Sequence, residues 1–152
     1  MTWAGVDLVH VPGFATQLAQ PGSTLGGAAG VFTPGERRDA RDRPESLAVR
    51  WAAKEAFVKA WSSALWGRSP VADEQVHRQI EVVVDAWGRP RLVLHGHVAV
   101  AVEHSIGQVE TSLSLSHDGD HAIAVVLVSL RLTPGDGAGA ERAGRSAPPA
   151  GG

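Results

Sequence analysis

A short apolar segment of the chain carries charged side chains at a spacing that could support chemistry. Residues 50–60 read Arg-Trp-Ala-Ala-Lys-Glu-Ala-Phe-Val-Lys-Ala. As a helix this segment is apolar on nearly every side, which is typical of a buried helix. Charges in such a helix are expected to be paired or to bind something. Glu55 and Lys59 share one face. One interpretation is that the two side chains form an internal ion pair. The other is that Glu55 holds a metal ion and Lys59 beside it holds an anion.

Asp7 is a second acidic residue in an apolar setting. It lies in Gly-Val-Asp-Leu-Val, residues 5–9, which the pattern of Val and Leu predicts to be part of the first strand. One interpretation is that its carboxylate caps the turn or helix that follows. The other is that it binds a metal: magnesium usually takes one or two protein carboxylates, and water and phosphate oxygens complete its shell. Asp7 together with Glu55 would supply that number.

Three histidines are candidates for binding. His117 lies in Ser-Leu-Ser-His-Asp, residues 114–118, where a strand meets its turn. It is either a plain surface residue or, beside hydroxyls and near a lysine, a phosphate contact. His95 and His97 could share one face of a strand, but spacing places no third ligand, so the support for zinc is weak. The glycine-rich phosphate loops of common nucleotide-binding folds are missing from the sequence.

The composition excludes several classes of protein. The chain has 152 residues, a net charge of -2 and no cysteine. Disulfides and thiolate metal sites are therefore ruled out, and there is no basic field for nucleic acid. The first residues do not resemble a signal peptide, and no run approaches the ~20 apolar residues of a membrane span. We expect a cytoplasmic protein that binds neither nucleic acid nor membrane.

The pattern of apolar residues predicts one α+β domain over residues 1–132 and a disordered tail, rich in Gly, Pro and Ala, over residues 133–152. A small antiparallel sheet should pack on a long buried helix that carries Glu55 and Lys59. The run at 33–36 has the form of a capping box at a helix start. The first predicted strand starts at residue 3 and ends near residues 7–9, and the other predicted strands are 80–85, 90–95, 110–116 and 121–132. The predicted helices are 12–20, 34–41 and 44 to 64 or 65, with 97–105 either a helix or a strand.

Three segments, in this order, resemble the holo-acyl-carrier-protein synthase family, the small type of 4′-phosphopantetheinyl transferase. They are residues 5–9, residues 50–60, and Ser-Leu-Ser-His at 114–117 followed by Asp-His-Ala-Ile-Ala at 120–124. Two further runs are similar to parts of the family pattern, Phe-Thr-Pro-Gly-Glu at 32–36 and Trp-Gly-Arg-Pro at 87–90. The resemblance covers roughly residues 5–130.

The resemblance implies the 4′-phosphopantetheinyl transferase fold and an enzyme that transfers the phosphopantetheine arm of coenzyme A to a serine of an apo-acyl carrier protein, in fatty acid or polyketide synthesis. The products would be holo-carrier and adenosine 3′,5′-bisphosphate. The resemblance also implies Mg²⁺ held by Asp7 and Glu55, which with Lys59 form the catalytic set. Coenzyme A would be bound by Arg50, Lys59 and His117. The serine would lose its proton to Glu55 or to water on the metal.

The resemblance further implies a homotrimer with the site between adjacent subunits, so that the strand of His117 would face the Asp7 and Glu55 of a neighbouring chain. The anionic coenzyme would also suit Lys54. Some residues depart from the family pattern. Trp3 stands where a second glycine is common, and the connection that follows the long helix is longer than usual.

A cluster of arginines follows a first helix that lacks the basic residues with which some relatives bind the acidic carrier. The cluster consists of Arg37, Arg38, Arg41 and Arg43. It is either an ordinary solvated face or a docking site for the carrier.

Two other functions fit the same residues. One is a non-catalytic paralogue that binds carrier protein or coenzyme A without turnover, and the other is a metal-dependent phosphohydrolase. Intact Asp7, Glu55 and Lys59 argue against the first, because a binding module has no need of all three. Release of bisphosphate in the absence of any carrier would favour the second.

Overall fold

The computed structural model of the chain describes residues 1–27, 30–71 and 75–132. It has the predicted α+β architecture, with antiparallel strands packed on a long helix. The strands are β1 (Thr2–His10), β2 (Ile80–Val84), β3 (Pro90–Leu94), β4 (Val109–Asp118) and β5 (His121–Leu130), and the helices are α1 (Val11–Ala19), α2 (Pro34–Ala40), α3 (Pro44–Ala64) and α4 (Gly96–Ile106). A short 3₁₀ helix, Val76–Gln79, precedes β2.

Local sequence signals explain where several of these elements begin. The predicted capping box is present at α2, where Glu36 N–H donates to Thr33 Oγ1 at 3.1 Å and Thr33 N–H donates to Glu36 Oε2 at 2.9 Å. Residues 97–105, which the sequence allowed to be either a helix or a strand, lie in the helix α4. Its buried side chains, Val98 and Val102, are four residues apart, so they lie on one helical face.

The sheet that covers α3 has the strand order β1-β5-β4. In the central strand β5, alternate residues are fully buried and the residues between them are exposed. The buried residues are Ala122, Ala124, Val126 and Val128. Because side chains in a strand alternate between the two faces, this pattern gives the sheet one face against α3 and one outer face. The strands β2 and β3 form a separate hairpin.

Gly5 allows β1 to lie unusually close to α3. A Cβ at this position would lie 1.8 Å from the carbonyl oxygen of Ala56, which is a contact with backbone. Asp7 is two residues further along the strand and therefore faces the same side as Gly5, toward α3. Glu55 directly precedes Ala56, so the close approach brings the strand that carries Asp7 against the turn of α3 that carries Glu55.

Lys54 is buried in the core rather than directed to a substrate. Its side chain and that of Glu36 are both 0% exposed, and Lys54 Nζ lies 2.9 Å from Glu36 Oε2. The ammonium also donates to the carbonyl oxygens of His77 at 2.9 Å and Ile80 at 2.6 Å. The expectation that Lys54 faces coenzyme A is therefore wrong, because its three donors join α3 to α2, the 3₁₀ helix and β2.

None of the helices in the described ranges is long and apolar enough to cross a membrane. The assignment of one domain to residues 1–132 stays a prediction. The tail predicted over residues 133–152 lies outside the described residues.

Candidate active site

Asp7 and Lys59 form an ion pair between β1 and α3. Lys59 Nζ lies 2.7 Å from Asp7 Oδ1, and it also donates to the carbonyl oxygen of Val6 at 3.1 Å. The Lys59 side chain is 53% exposed and that of Asp7 is 14% exposed. The pair is therefore open to solvent on the lysine side, where a ligand can reach it.

Glu55 lies one helical turn before Lys59 and contacts His77. Its Oε1 is 2.5 Å from His77 Nε2. This contact with the imidazole holds the pKa of Glu55 below its ordinary value; burial opposes the shift and the charge of Lys59 adds to it. Glu55 is therefore ionised at neutral pH and lies within the field of Lys59. Asp7, Glu55 and Lys59 are called the Asp7 cluster below.

Glu55 and Lys59 do not pair with each other, although they lie one helical turn apart on α3. Among the described residues, Lys59 pairs with Asp7 and Glu55 pairs with His77, instead of the two pairing with each other. The interpretation as an internal Glu55–Lys59 ion pair is therefore wrong. The same holds for Asp7 as a helix cap, since the side chain that caps α1 is that of His10.

The Asp7 cluster has the donors that magnesium requires. Two carboxylates come from neighbouring elements, both are partly exposed, and both interact with Lys59. Magnesium is commonly held by one or two carboxylates and keeps several water ligands. Within the described ranges, no group of three or more His, Cys, Asp or Glu residues could hold a metal. The donor set therefore fits a hard, hydrated cation and not a closed protein cage.

His95 and His97 have other partners. His95 Nε2 lies 2.7 Å from Glu81 Oε2, and His97 Nδ1 lies 2.7 Å from the side-chain nitrogen of Gln79. The side chains of His95 and Glu81 therefore contact each other at the end of the β2–β3 hairpin. No zinc site involving the two histidines is found among the described residues.

Arg50 and His117 line a second region, a cavity of about 630 Å³ between α3, the β2–β3 hairpin and β4. Arg50 Nη1 donates to the carbonyl oxygen of Ser46 at 3.0 Å, whereas Arg50 Nε is buried and has no hydrogen-bond partner among the described residues. Burial lowers the pKa of Arg50, while the carboxylates of Glu36 and Asp39 oppose that shift. A guanidinium with an unsatisfied buried donor favours an anionic ligand. This cavity is called the Arg50 cavity below.

Sequence reasoning missed His77. The structure puts its ring against Glu55 and also against Trp51, with the centroids of the two rings 4.6 Å apart. His77 is more than twenty positions from either partner, so neither helical nor strand spacing could have joined them.

A family model described as the 4′-phosphopantetheinyl transferase superfamily matches residues 4–126. The holo-[acyl-carrier-protein] synthase of Corynebacterium glutamicum (strain R) is 50% identical over 134 residues, which cover 84% of this chain and 97% of the relative. The chain belongs to the holo-[acyl-carrier-protein] synthase family of this superfamily. The residues matched by the family model include Asp7, Arg50, Glu55, Lys59 and His117.

Other relatives agree with membership of the synthase family. The holo-[acyl-carrier-protein] synthase of Mycobacterium tuberculosis (strain ATCC 25177 / H37Ra) is 49% identical over 128 residues, covering 82% of this chain and 93% of the relative. Among solved structures, the ACPS–CoA complex of Chronobacterium ammoniagenes has a TM-score of 0.81 at 51% identity, covering 87% of this chain and 99% of that one. The acyl carrier protein synthase of Mycobacterium tuberculosis has a TM-score of 0.70 at 43% identity, covering 85% and 97%. The family resemblance and the fold that it implied are thus confirmed.

Proposed function

We propose that the chain transfers the 4′-phosphopantetheine arm of coenzyme A to a serine of an apo-acyl carrier protein, in fatty acid or polyketide synthesis. The products are holo-carrier and adenosine 3′,5′-bisphosphate. The observation that carries this proposal is the Asp7 cluster: Lys59 Nζ lies 2.7 Å from Asp7 Oδ1 and its charge helps to lower the pKa of Glu55. These groups occur in a chain that is half identical to holo-[acyl-carrier-protein] synthases.

Asp7 and Glu55 are the proposed magnesium ligands. When bound, the dication supplies positive charge that offsets the negative charge building on the leaving bisphosphate. Lys59 is half exposed and is held by a single carboxylate, so its ammonium can turn from Asp7 to an oxygen of the pyrophosphate. A charge-assisted hydrogen bond of this kind orients the pyrophosphate for displacement.

The transfer is a displacement at phosphorus. The serine Oγ forms a bond to the β-phosphorus of coenzyme A, and the bond from that phosphorus to the oxygen bridging the two phosphates breaks. The electron pair of the broken bond leaves with adenosine 3′,5′-bisphosphate. The serine proton passes to a base, for which Glu55 and a bound water are the two candidates.

Arg50 and His117 are the proposed contacts for the phosphate of coenzyme A that lies outside the pyrophosphate. Both line the Arg50 cavity, and the buried Arg50 Nε there has no protein partner among the described residues. Neither residue has a hydrogen bond or ion pair with the Asp7 cluster within one described chain. A site shared between subunits would bring the two regions onto one coenzyme molecule.

A homotrimer is the proposed assembly, and the outer face of the sheet supports it. Val6 pairs with Val125 and Leu8 pairs with Ile123, so these four side chains lie together on the face away from α3. Each is at least 36% exposed. A contiguous exposed apolar patch is typical of an interaction surface. An active monomer in sedimentation would contradict the trimer.

Cytoplasmic localisation is part of the same proposal, because both substrates, coenzyme A and an apo-carrier protein, are used there. The net charge of -2 gives no support for binding to nucleic acid.

Intact mass spectrometry of an apo-acyl carrier protein tests the function. The carrier is incubated with this protein, coenzyme A and magnesium, and each carrier should gain the mass of one phosphopantetheine. We expect the gain to disappear with a chelator and with Glu55→Gln, which keeps the shape of the side chain but removes the charge. No gain with several carriers, together with measurable binding of coenzyme A, would favour the non-catalytic paralogue. Release of bisphosphate without carrier would favour a phosphohydrolase.

A further inference from the structure

Three contacts hold His77 in place. Its carbonyl oxygen accepts a hydrogen bond from Lys54 Nζ at 2.9 Å, within a network whose charged groups are fully buried. Its ring packs against Trp51, with centroids 4.6 Å apart. Its Nε2 lies beside Glu55 Oε1. The imidazole therefore has little freedom to move, although the residue belongs to a short 3₁₀ helix beside a long connection.

The contact between His77 and Glu55 serves both groups. His77 Nε2 is buried and lies 2.5 Å from Glu55 Oε1. Buried donors are rarely left unpaired, and this carboxylate oxygen is the acceptor beside the ring nitrogen. A hydrogen bond from the ring to Oε1 leaves Oε2 of Glu55 free for a cation.

The two carboxylates of the Asp7 cluster differ in how they are held. Asp7 is short and sits on a strand, and its partner Lys59 is half exposed. Glu55 has a longer side chain on a helix surface, and its partner His77 is only 18% exposed. A lysine at the surface can move away to a substrate, whereas an anchored imidazole stays in place. Donors behind a metal ligand commonly fix its orientation.

We propose that His77 is a positioning residue, whose imidazole orients the Glu55 carboxylate so that its other oxygen is presented to the divalent cation. This inference rests on the proposed function, because it takes Glu55 as a metal ligand. His77 itself touches neither the metal nor the substrate in this arrangement. The buried network of Lys54 and Glu36 contributes indirectly to this positioning, because it fixes the backbone of His77.

Direct measurement of Mn²⁺ affinity tests the inference without relying on turnover. Mn²⁺ is titrated into the full chain, without coenzyme A or carrier, and followed by electron paramagnetic resonance. His77→Phe keeps a ring against Trp51 but removes the donor, and we expect it to weaken Mn²⁺ binding by about 10- to 100-fold. His77→Gln restores an N–H donor without the ring and should recover most of that loss. His77→Leu replaces His77→Phe if the latter does not fold.

The outcomes separate this inference from the proposed function. An unchanged Mn²⁺ affinity in folded His77→Phe, or a loss that His77→Gln does not recover, would overturn it. Equal Mn²⁺ binding by the wild type and Glu55→Gln would overturn it as well, because Glu55 would then not be a ligand. A wild type that fails to modify any carrier, but whose Mn²⁺ affinity falls in His77→Phe and returns in His77→Gln, would support the positioning role while refuting the transfer reaction.

Discussion

Lys54 and Lys59 lie on the same helix and each contacts a carboxylate, but the two pairs differ in what surrounds them. Lys54 and Glu36 are fully buried, and every donor of the ammonium is used by the protein. Lys59 is 53% exposed and contacts one carboxylate and one carbonyl. A charge whose bonds are all made inside the protein stabilises structure, whereas a charge left half open can exchange its partner for a ligand. Burial, and not residue type, separates the two roles.

Glu36→Gln tests the buried pair and has the largest expected effect on folding. Lys54 would be left in the core without a counter-charge, so we expect the free energy of unfolding to fall by about 3–5 kcal/mol. That is a large share of the roughly 5–15 kcal/mol that holds a typical domain together. Urea unfolding measures it. Asp42→Asn is the matched control, because it breaks an exposed pair with Arg37 that should contribute at most about 1 kcal/mol. Equal losses in the two variants would refute the distinction.

Lys59→Gln tests the open pair. We expect kcat/KM for the transfer to fall by about 100- to 1,000-fold, as is usual when one donor to a developing charge is removed. The free energy of unfolding should fall much less than in Glu36→Gln, since the Lys59 side chain is 53% exposed, although that of Asp7 is only 14% exposed. Steady-state kinetics and urea unfolding on the same preparation check both parts. A strongly destabilised variant would place Lys59 with Lys54 as a structural residue.

Arg50 lies between these extremes, since it is buried but has an unsatisfied donor. Arg50→Gln should raise the KM for coenzyme A by about 10- to 100-fold, because a hydrogen bond to a charged group is worth about 1.5–3 kcal/mol. The KM for the carrier should stay near its wild-type value. Arg41→Gln, at an exposed position, is the control. If both variants gave the same KM for coenzyme A, Arg50 would not be a phosphate contact.

Arg38 and Arg41 are exposed, and the smallest effect is expected there. Arg37 is already engaged with Asp42, and Arg43 donates to the carbonyl oxygen of Ala40. If the arginine cluster docks the acidic carrier, replacing Arg38 and Arg41 with Glu should raise the KM for carrier by about 2- to 10-fold, since exposed pairs are individually weak. The effect should shrink with added salt. An unchanged carrier KM, with that for coenzyme A also unchanged, would leave the cluster as an ordinary solvated face.

Much of the fold could be predicted because its signals are local. The capping box at Thr33 and the prolines that open α2 and α3 set helix starts, and the turn after Asp118 joins two strands of clear alternation. The segment that became α4 was ambiguous, because an apolar run such as 98–102 fits either period. Its burial pattern appears only once β4 and the 3₁₀ helix pack beside it.

The candidate site was predicted only in part, for a physical reason. Asp7, Glu55 and Lys59 stand out because charges in apolar elements are unusual, and the structure brings these three together. Lys54 stands out by the same rule and was misassigned. Its true partner, Glu36, lies on another helix, and the capping box already explained that residue. His77 gave no signal, because its role depends on tertiary contacts alone.

Gly5 shows how a residue without a side chain can govern a site that it never touches. Any other amino acid would drive a Cβ into the backbone of α3, and no rotamer change relieves a backbone clash. In a saturation mutagenesis screen scored by activity, position 5 should therefore be as intolerant as Asp7 or Glu55. Scoring cellular abundance alongside activity would tell them apart: substitutions at Gly5 deplete the folded protein, whereas neutral replacements of the two acids leave it abundant and inactive.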